Sequence, residues 1–173
     1  STVMTLLGGE LQLNRAGALD MAELIPEGTE ISLGADNALL SGTGIRFIGG
    51  LLLAQGYDQD FGSLDVGNGS KDTVFDMGTS DSIWTFEDSS AQVWDGGIVA
   101  ITNAENATIR FSIDGGTGLT ESQIGQMTLN GTTLTAEDTW TDGGYLYVIP
   151  EPATLGMVGF AGLVLLGVRR LFM

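Results

Sequence analysis

Residues 1–149 are a string of short apolar runs, each broken off by Gly, Asn, Asp or Ser before it can grow to helix length. The runs are Val3–Leu7, Glu10–Leu13, Ala18–Leu24, Glu30–Leu33, Ile45–Ile48, Leu51–Ala54, Ser63–Val66, Thr73–Met77, Ile83–Phe86 and Gln92–Trp94, then Ile98–Thr102, Thr108–Ile113, Met127–Leu129, Thr133–Thr135 and Tyr145–Ile149. Many alternate in polarity, as half-buried strands do. Most of the 27 glycines fall between the runs, where tight corners need positive φ. One short helix is predicted over Leu119–Gln126, with Thr120 as N-cap and Gln123 closing a capping box. The fold class is therefore all-β.

A weak repeat helps to choose the architecture. Leu64-Asp65-Val66, Phe75-Asp76-Met77 and Phe86-Glu87-Asp88 stand 11 residues apart, and Leu19-Asp20-Met21 has the same shape. Such spacing suits a β-sandwich or a β-solenoid. Only Asn130-Gly131, between Met127–Leu129 and Thr132–Thr135, reads as a two-residue hairpin turn. Strands that stack in parallel on the next coil need no hairpins. We therefore expect a β-solenoid, similar to a parallel β-helix, with a β-sandwich as the alternative.

The last 24 residues, 150–173, are of another kind. Ala153–Val168 is uncharged and spans about 24 Å as a helix, against about 30 Å for a bilayer core. Arg169 and Arg170 follow; they can snorkel to the interface and mark the cytoplasmic side. Gly156, Gly159, Gly162 and Gly167 weaken a helix in water but are tolerated in lipid. The prediction is one transmembrane helix, with residues 1–149 as an extracytoplasmic domain. The chain opens Ser1-Thr2-Val3 without a basic or apolar leader. An outward-facing domain then implies a signal peptide already removed, with truncation as the alternative.

This tail resembles the PEP-CTERM sorting signal of Gram-negative bacteria. The likeness rests on Pro150-Glu151-Pro152-Ala153-Thr154, the Gly-rich apolar span and the Arg169-Arg170 cluster. The resemblance implies a sorting motif at Pro150, Glu151 and Pro152 and a membrane stop at Arg169 and Arg170. It also implies an exosortase-type peptidase as partner and a link to exopolysaccharide and the cell surface. It implies a route and not an activity. A looser likeness to the region that precedes such tails covers Phe86-Glu87-Asp88-Ser89-Ser90-Ala91-Gln92-Val93-Trp94 and Gly118-Leu119-Thr120 with Gln123; the Trp usual after Thr102-Asn103 is replaced by Ala104.

Charge and composition narrow the chemistry. Arg169, Arg170 and Glu151 belong to the tail, so residues 1–149 hold 4 basic and 21 acidic residues, a net −17. That surface repels nucleic acid and anionic headgroups. Cys and His are absent, which removes disulfides, thiolate metal sites and the commonest general base. Paired carboxylates remain: Glu87 with Asp88, Asp58 with Asp60, and Glu137 with Asp138. In so acidic a chain such pairs arise by chance, and solvated surface is the simpler reading. Arg15, Arg46, Lys71 and Arg110 are spread too widely for lyase chemistry on a β-helix. Calcium is the one metal to weigh, at Asp58-Gln59-Asp60 or Asn68–Asp72. Neither stretch matches a known calcium loop, so no metal site and no cofactor is assigned. Asn68, Asn106 and Asn130 head Asn-x-Ser/Thr sequences that read as turns.

Trp84, Trp94 and Trp140 are candidate sugar platforms, although Trp84 fits a core strand. Tyr145 and Tyr147 can form an interfacial aromatic belt. Ile45–Leu53 reads as two core strands or as an edge that pairs with a partner. No residue is given a catalytic role. The expected protein is a non-enzymatic structural or interaction protein, anchored in a bacterial membrane with its domain in the periplasm or at the cell surface. Its expected partners are the membrane, the exosortase-type peptidase, and its own copies or a surface polysaccharide. Alternatives are a carbohydrate-binding or carbohydrate-cleaving module, and an accessory subunit of a larger membrane complex.

Overall fold

The computed structural model describes residues 2–67, 72–114 and 116–149, which form a β-solenoid of about five turns with almost no helix. The strands in order are β1 (Val3–Leu7), β2 (Glu10–Leu13), β3 (Glu23–Glu27), β4 (Thr29–Leu33), β5 (Gly44–Phe47), β6 (Gly50–Leu53), β7 (Gln59–Asp60) and β8 (Leu64–Val66). They continue as β9 (Thr73–Asp76), β10 (Ser82–Phe86), β11 (Val99–Thr102) and β12 (Ala107–Ser112). Helix α1 (Glu121–Ile124) precedes β13 (Met127–Leu129), β14 (Thr132–Thr133), β15 (Trp140–Asp142) and β16 (Tyr145–Ile149).

Three sheets result. The first stacks β1-β3-β5-β8, the second β2-β4-β6-β9-β11-β13 and the third β7-β10-β12. All these pairs are parallel, which decides for the solenoid over the sandwich. Val3 is in register with Glu23 and Glu23 with Gly44, so the early coils repeat every 20 and 21 residues. Later coils are longer, with Val99 in register with Met127.

The interior is built from registered stacks. Leu11, Ile31, Leu52, Phe75, Ile101 and Leu129 form one column of the second sheet. The Phe86 ring stacks on Phe61 at 4.5 Å and on Phe111 at 4.9 Å, one aromatic from each of three successive coils. Trp84 is fully buried and packs edge-on against Phe61 and Phe75. Along the second-sheet column each inward side chain sits beside its counterpart one coil away.

Side chains take over where strands stop. Asp36 Oδ1 accepts from Asp58 N–H at 2.9 Å, and Asp58 Oδ1 accepts from Ile83 N–H at 2.7 Å. Asn37 Oδ1 accepts from Asp60 N–H at 2.8 Å. The third side of the first two coils has only a bridge between Leu19 and Leu39. There the buried Gln59 amide stands in for a strand: its Oε1 accepts from Leu39 N–H and its Nε2 donates to Leu39 O.

Several sequence expectations shift. Ala18–Leu24 is not one strand; β3 starts at Glu23 and runs through Pro26, whose carbonyl accepts from Ile48 N–H although the ring offers no donor. Gln92–Trp94 lies in a loop. The helix keeps its predicted capping box, with Thr120 Oγ1 accepting from Gln123 N–H and Gln123 Oε1 accepting from Thr120 N–H, but spans four residues. Asn130-Gly131 turns β13 into antiparallel β14, with φ of 48° and 83°. β7 and β15 were not expected.

The C-terminal end is closed. In the 87–97 loop Ser89 Oγ accepts from Leu64 N–H, Asp95 N–H donates to Val66 O, and the Trp94 indole donates to Leu64 O, so the loop covers β8. Gln123, 3% exposed, donates its amide to Ser89 O at 2.8 Å and Gln92 O at 2.9 Å. β14 covers β13, and the antiparallel pair β16-β15 covers β12. Removing the Gln123 amide strands two loop carbonyls and breaks the capping box, so Gln123→Ala is expected to cost about 2–4 kcal/mol. Gln123→Glu, which keeps the shape but supplies no donor when ionised, is expected to cost at least as much. Urea unfolding of both variants checks this.

Candidate functional site

The predicted site residues fall into separate places. Pro150, Glu151, Pro152, Arg169 and Arg170 lie outside the described residues, as does the rest of the tail. Among the described residues no helix is long and apolar enough to cross a membrane. Within each acidic pair the two side chains have different surroundings. Asp88 accepts from Ser90 N–H, while neighbouring Glu87 is exposed beside a groove. Asp58 is committed to Ile83, while Asp60 lines that same groove. Asp138 accepts from the Thr135 hydroxyl and N–H, which hold its carboxyl below its ordinary pKa. Among the described residues no three acidic side chains stand together as a metal site.

Trp84 and Trp94 are buried and serve the core and the cap. Trp140 is half-buried and stacks on Tyr147, with ring centroids 5.3 Å apart. Asn106 donates its side-chain amide to Thr79 O, as a turn residue.

Two surface features bear on function. The first is a polar groove of about 290 Å³ on the outer face of the third sheet. Coil stacking sets Asp60, Thr85 and Arg110 side by side, with Tyr147 and Trp140 continuing the row. Glu87, Ser112 and Tyr145 line its next level. Arg110 Nε donates to Thr85 Oγ1 at 3.1 Å, and its guanidinium lies 4.4 Å over the Tyr145 ring. Sequence reasoning missed this grouping because Asp60 and Glu87 came from different acidic pairs. Only the coil repeat, read from register, brings them together.

The second feature is the N-terminal end. β1 and β2 are the last strands of their sheets. Met4, Leu6, Leu11, Ala18 and Leu19 face the core but are only partly buried, whereas Leu24 and Ile31 beneath them are 0% exposed. On the outer face Val3 is 52% exposed and Leu7 76%. Thr2 O accepts from Ala22 N–H, and Gly8 N–H donates to Glu27 O. Backbone groups alternate sides along a strand, so Met4 and Leu6 aim at β3. Val3, Thr5 and Leu7 aim their N–H and C=O groups at the free edge. β1 carries no charge, proline or bulge, the usual guards of an exposed edge.

No family model matches the chain, and neither the curated proteins nor the solved structures give a match. The functional reading therefore rests on these surfaces.

The first sheet also carries a shallow hollow of about 280 Å³ lined by Glu23, Ser63, Asp65 and Gln92. Arg46 Nε lies 3.2 Å from Asp65 Oδ2, while Asp65 Oδ1 is buried without a partner. Burial, aided by the charge of Asp95, outweighs Arg46 and raises the Asp65 pKa above its ordinary value. The fold thus favours the protonated form. Stability from this group is full below its unfolded pKa and is lost as pH rises through its folded one. Asn mimics the protonated acid. The stability of Asp65→Asn relative to wild type is therefore expected to rise with pH across the acidic range, measured by urea unfolding at stepped pH.

Proposed function

We propose that this protein is a non-enzymatic structural and interaction protein whose solenoid docks another component through its open first coil. What supports the reading is the contrast between the two ends: one closed by loop, helix and hairpin, the other an uncharged strand edge above a half-covered core. The tail complements it. Its apolar span and Arg169-Arg170 tether the domain to the membrane or deliver it, through an exosortase-type peptidase, to the cell surface. Intact mass of the protein from its native cell tells which, since cleavage removes the span. Docking is tested by hydrogen exchange in native membranes. The Thr5 and Leu7 amides are expected to be protected there, to a degree comparable with the β3 amides. Free exchange at Thr5 and Leu7 beside a protected β3 would sink the reading.

A second reading has its own observation, the groove. Hydroxyls, two carboxylates and the Tyr145 ring line it, with the Arg110 guanidinium lying over that ring, a set suited to a hydroxyl-rich sugar chain. In this reading the protein is a carbohydrate-binding module. Titration with a neutral hexasaccharide is expected to shift the Trp140 and Tyr145 resonances, and Tyr145→Ala is expected to weaken binding about tenfold, the loss of one good contact. Binding that ignores Tyr145→Ala, or no binding at all, counts against it.

A further inference from the structure

The occupant of the open edge can be named from the edge itself, and this deepens the docking reading, on which it rests. We propose that the first coil meets a second copy of itself, head to head, through an antiparallel pairing of β1 with the partner's β1 centred on Thr5.

The backbone selects that register. Among the described residues, Val3, Thr5 and Leu7 point their donors and acceptors to the side of β1 away from β3. In an antiparallel pair centred on Thr5, Val3 stands opposite the second copy's Leu7, and Thr5 opposite its own counterpart. All three residues then fall at hydrogen-bonded positions, where each exchanges both an N–H and a C=O with its opposite. A slip of one residue breaks this match, and a slip of two, centring the pair on Met4 or Leu6, leaves Leu7 or Val3 without a β1 residue opposite.

The side chains agree. The sequence Val-Met-Thr-Leu-Leu is apolar, apolar, polar, apolar, apolar, so it has the same character read from either end. The exposed Val3 and Leu7 would cover one another on the outer face. Met4 and Leu6, half-covered now, would close over the core from both sides. No charge meets a like charge across the pair. β2 is a poorer candidate for self-pairing, because it opens with Glu10.

The far end decides the symmetry. Stacking head to tail would need an open edge at the C-terminal end, and β8, β12 and β13 are each covered there. Among the described residues the outermost strands at that end, β14 and β15, are only two and three residues long, so the five-residue β1 is the longer edge at which two copies can meet and close.

The chain has no cysteine, so one introduced thiol reports on the pairing without background. Residues at a hydrogen-bonded antiparallel position have Cα atoms about 5.5 Å apart, within disulfide range. The full-length Thr5→Cys protein, oxidised in its native membranes, is expected to run mostly as a covalent dimer. Thr141→Cys, at the capped end, is expected to remain monomeric. Leu7→Lys is a surface change that leaves the fold intact, and it is expected to weaken the dimer about tenfold or more by native mass measurement. A wild-type chain that stays monomeric, with no Thr5→Cys disulfide and free exchange at Thr5 and Leu7, would overturn this proposal together with the docking reading. Protected Thr5 and Leu7 amides in a complex with a different chain would overturn the dimer alone. Ladders of higher oligomers would overturn the closed symmetry.

Discussion

Each inner strand of this solenoid must find its backbone partners in the coil before it and the coil after it. A buried amide left unpaired costs on the order of 1–3 kcal/mol, so the requirement extends to each coil and each corner. Between coils the parallel ladders meet it. Where the ladders lapse, side chains of the right length substitute: Asp36, Asn37 and Asp58 along one corner, and the Gln59 amide against Leu39. These polar residues look like solvated turns in the sequence. In the fold they are part of the hydrogen-bonded framework, which leaves Asp58 with one oxygen already committed.

The same constraint explains the C-terminal cap. The residues from Phe86 to Trp94 and from Gly118 to Gln123 are far apart in sequence but form one hydrogen-bonded unit. Ser89 does three jobs: its hydroxyl serves Leu64, its N–H serves Gly118, and its carbonyl receives Gln123. A pattern that the sequence offers as a companion of the tail is thus accounted for by stability. It finishes the sheet that β8 would otherwise leave open.

Much of this was legible in the residues, and the failures have physical causes. The 11-residue spacing is real, but it does not count coils. Leu64, Phe75 and Phe86 lie on β8, β9 and β10, so the spacing measures the three sides of one coil. Asn130-Gly131 announced its hairpin because two positive φ angles demand such residues. Gly143-Gly144, with φ of 55° and 86°, carries the same signal before β16 and shows why β15 exists. Gln92–Trp94 reads as a strand because Trp94 is apolar; its burial comes from capping β8 and not from pairing. The groove was out of reach, since nothing local to Asp60 points to Thr85 or Arg110.

Electrostatics gives the two ends different prospects. Residues 2–22 hold Glu10, Arg15 and Asp20, a net −1, whereas residues 63–149 hold 13 acidic and 2 basic residues. Residues 23–62 hold 6 acidic and 1 basic residue, so the charge is spread along the solenoid and only the first coil is nearly neutral. Fields between exposed charges fade over about 8–10 Å at physiological ionic strength. The second coil is already acidic: residues 23–43 hold Glu23, Glu27, Glu30 and Asp36 with no basic residue, and neighbouring coils are only about 4.8 Å apart, within one screening length. An approach of first coil to first coil brings together the least charged coils. An approach of capped end to capped end does the reverse. The distribution of charge along the solenoid and the distribution of unpaired backbone thus favour the same end for contact.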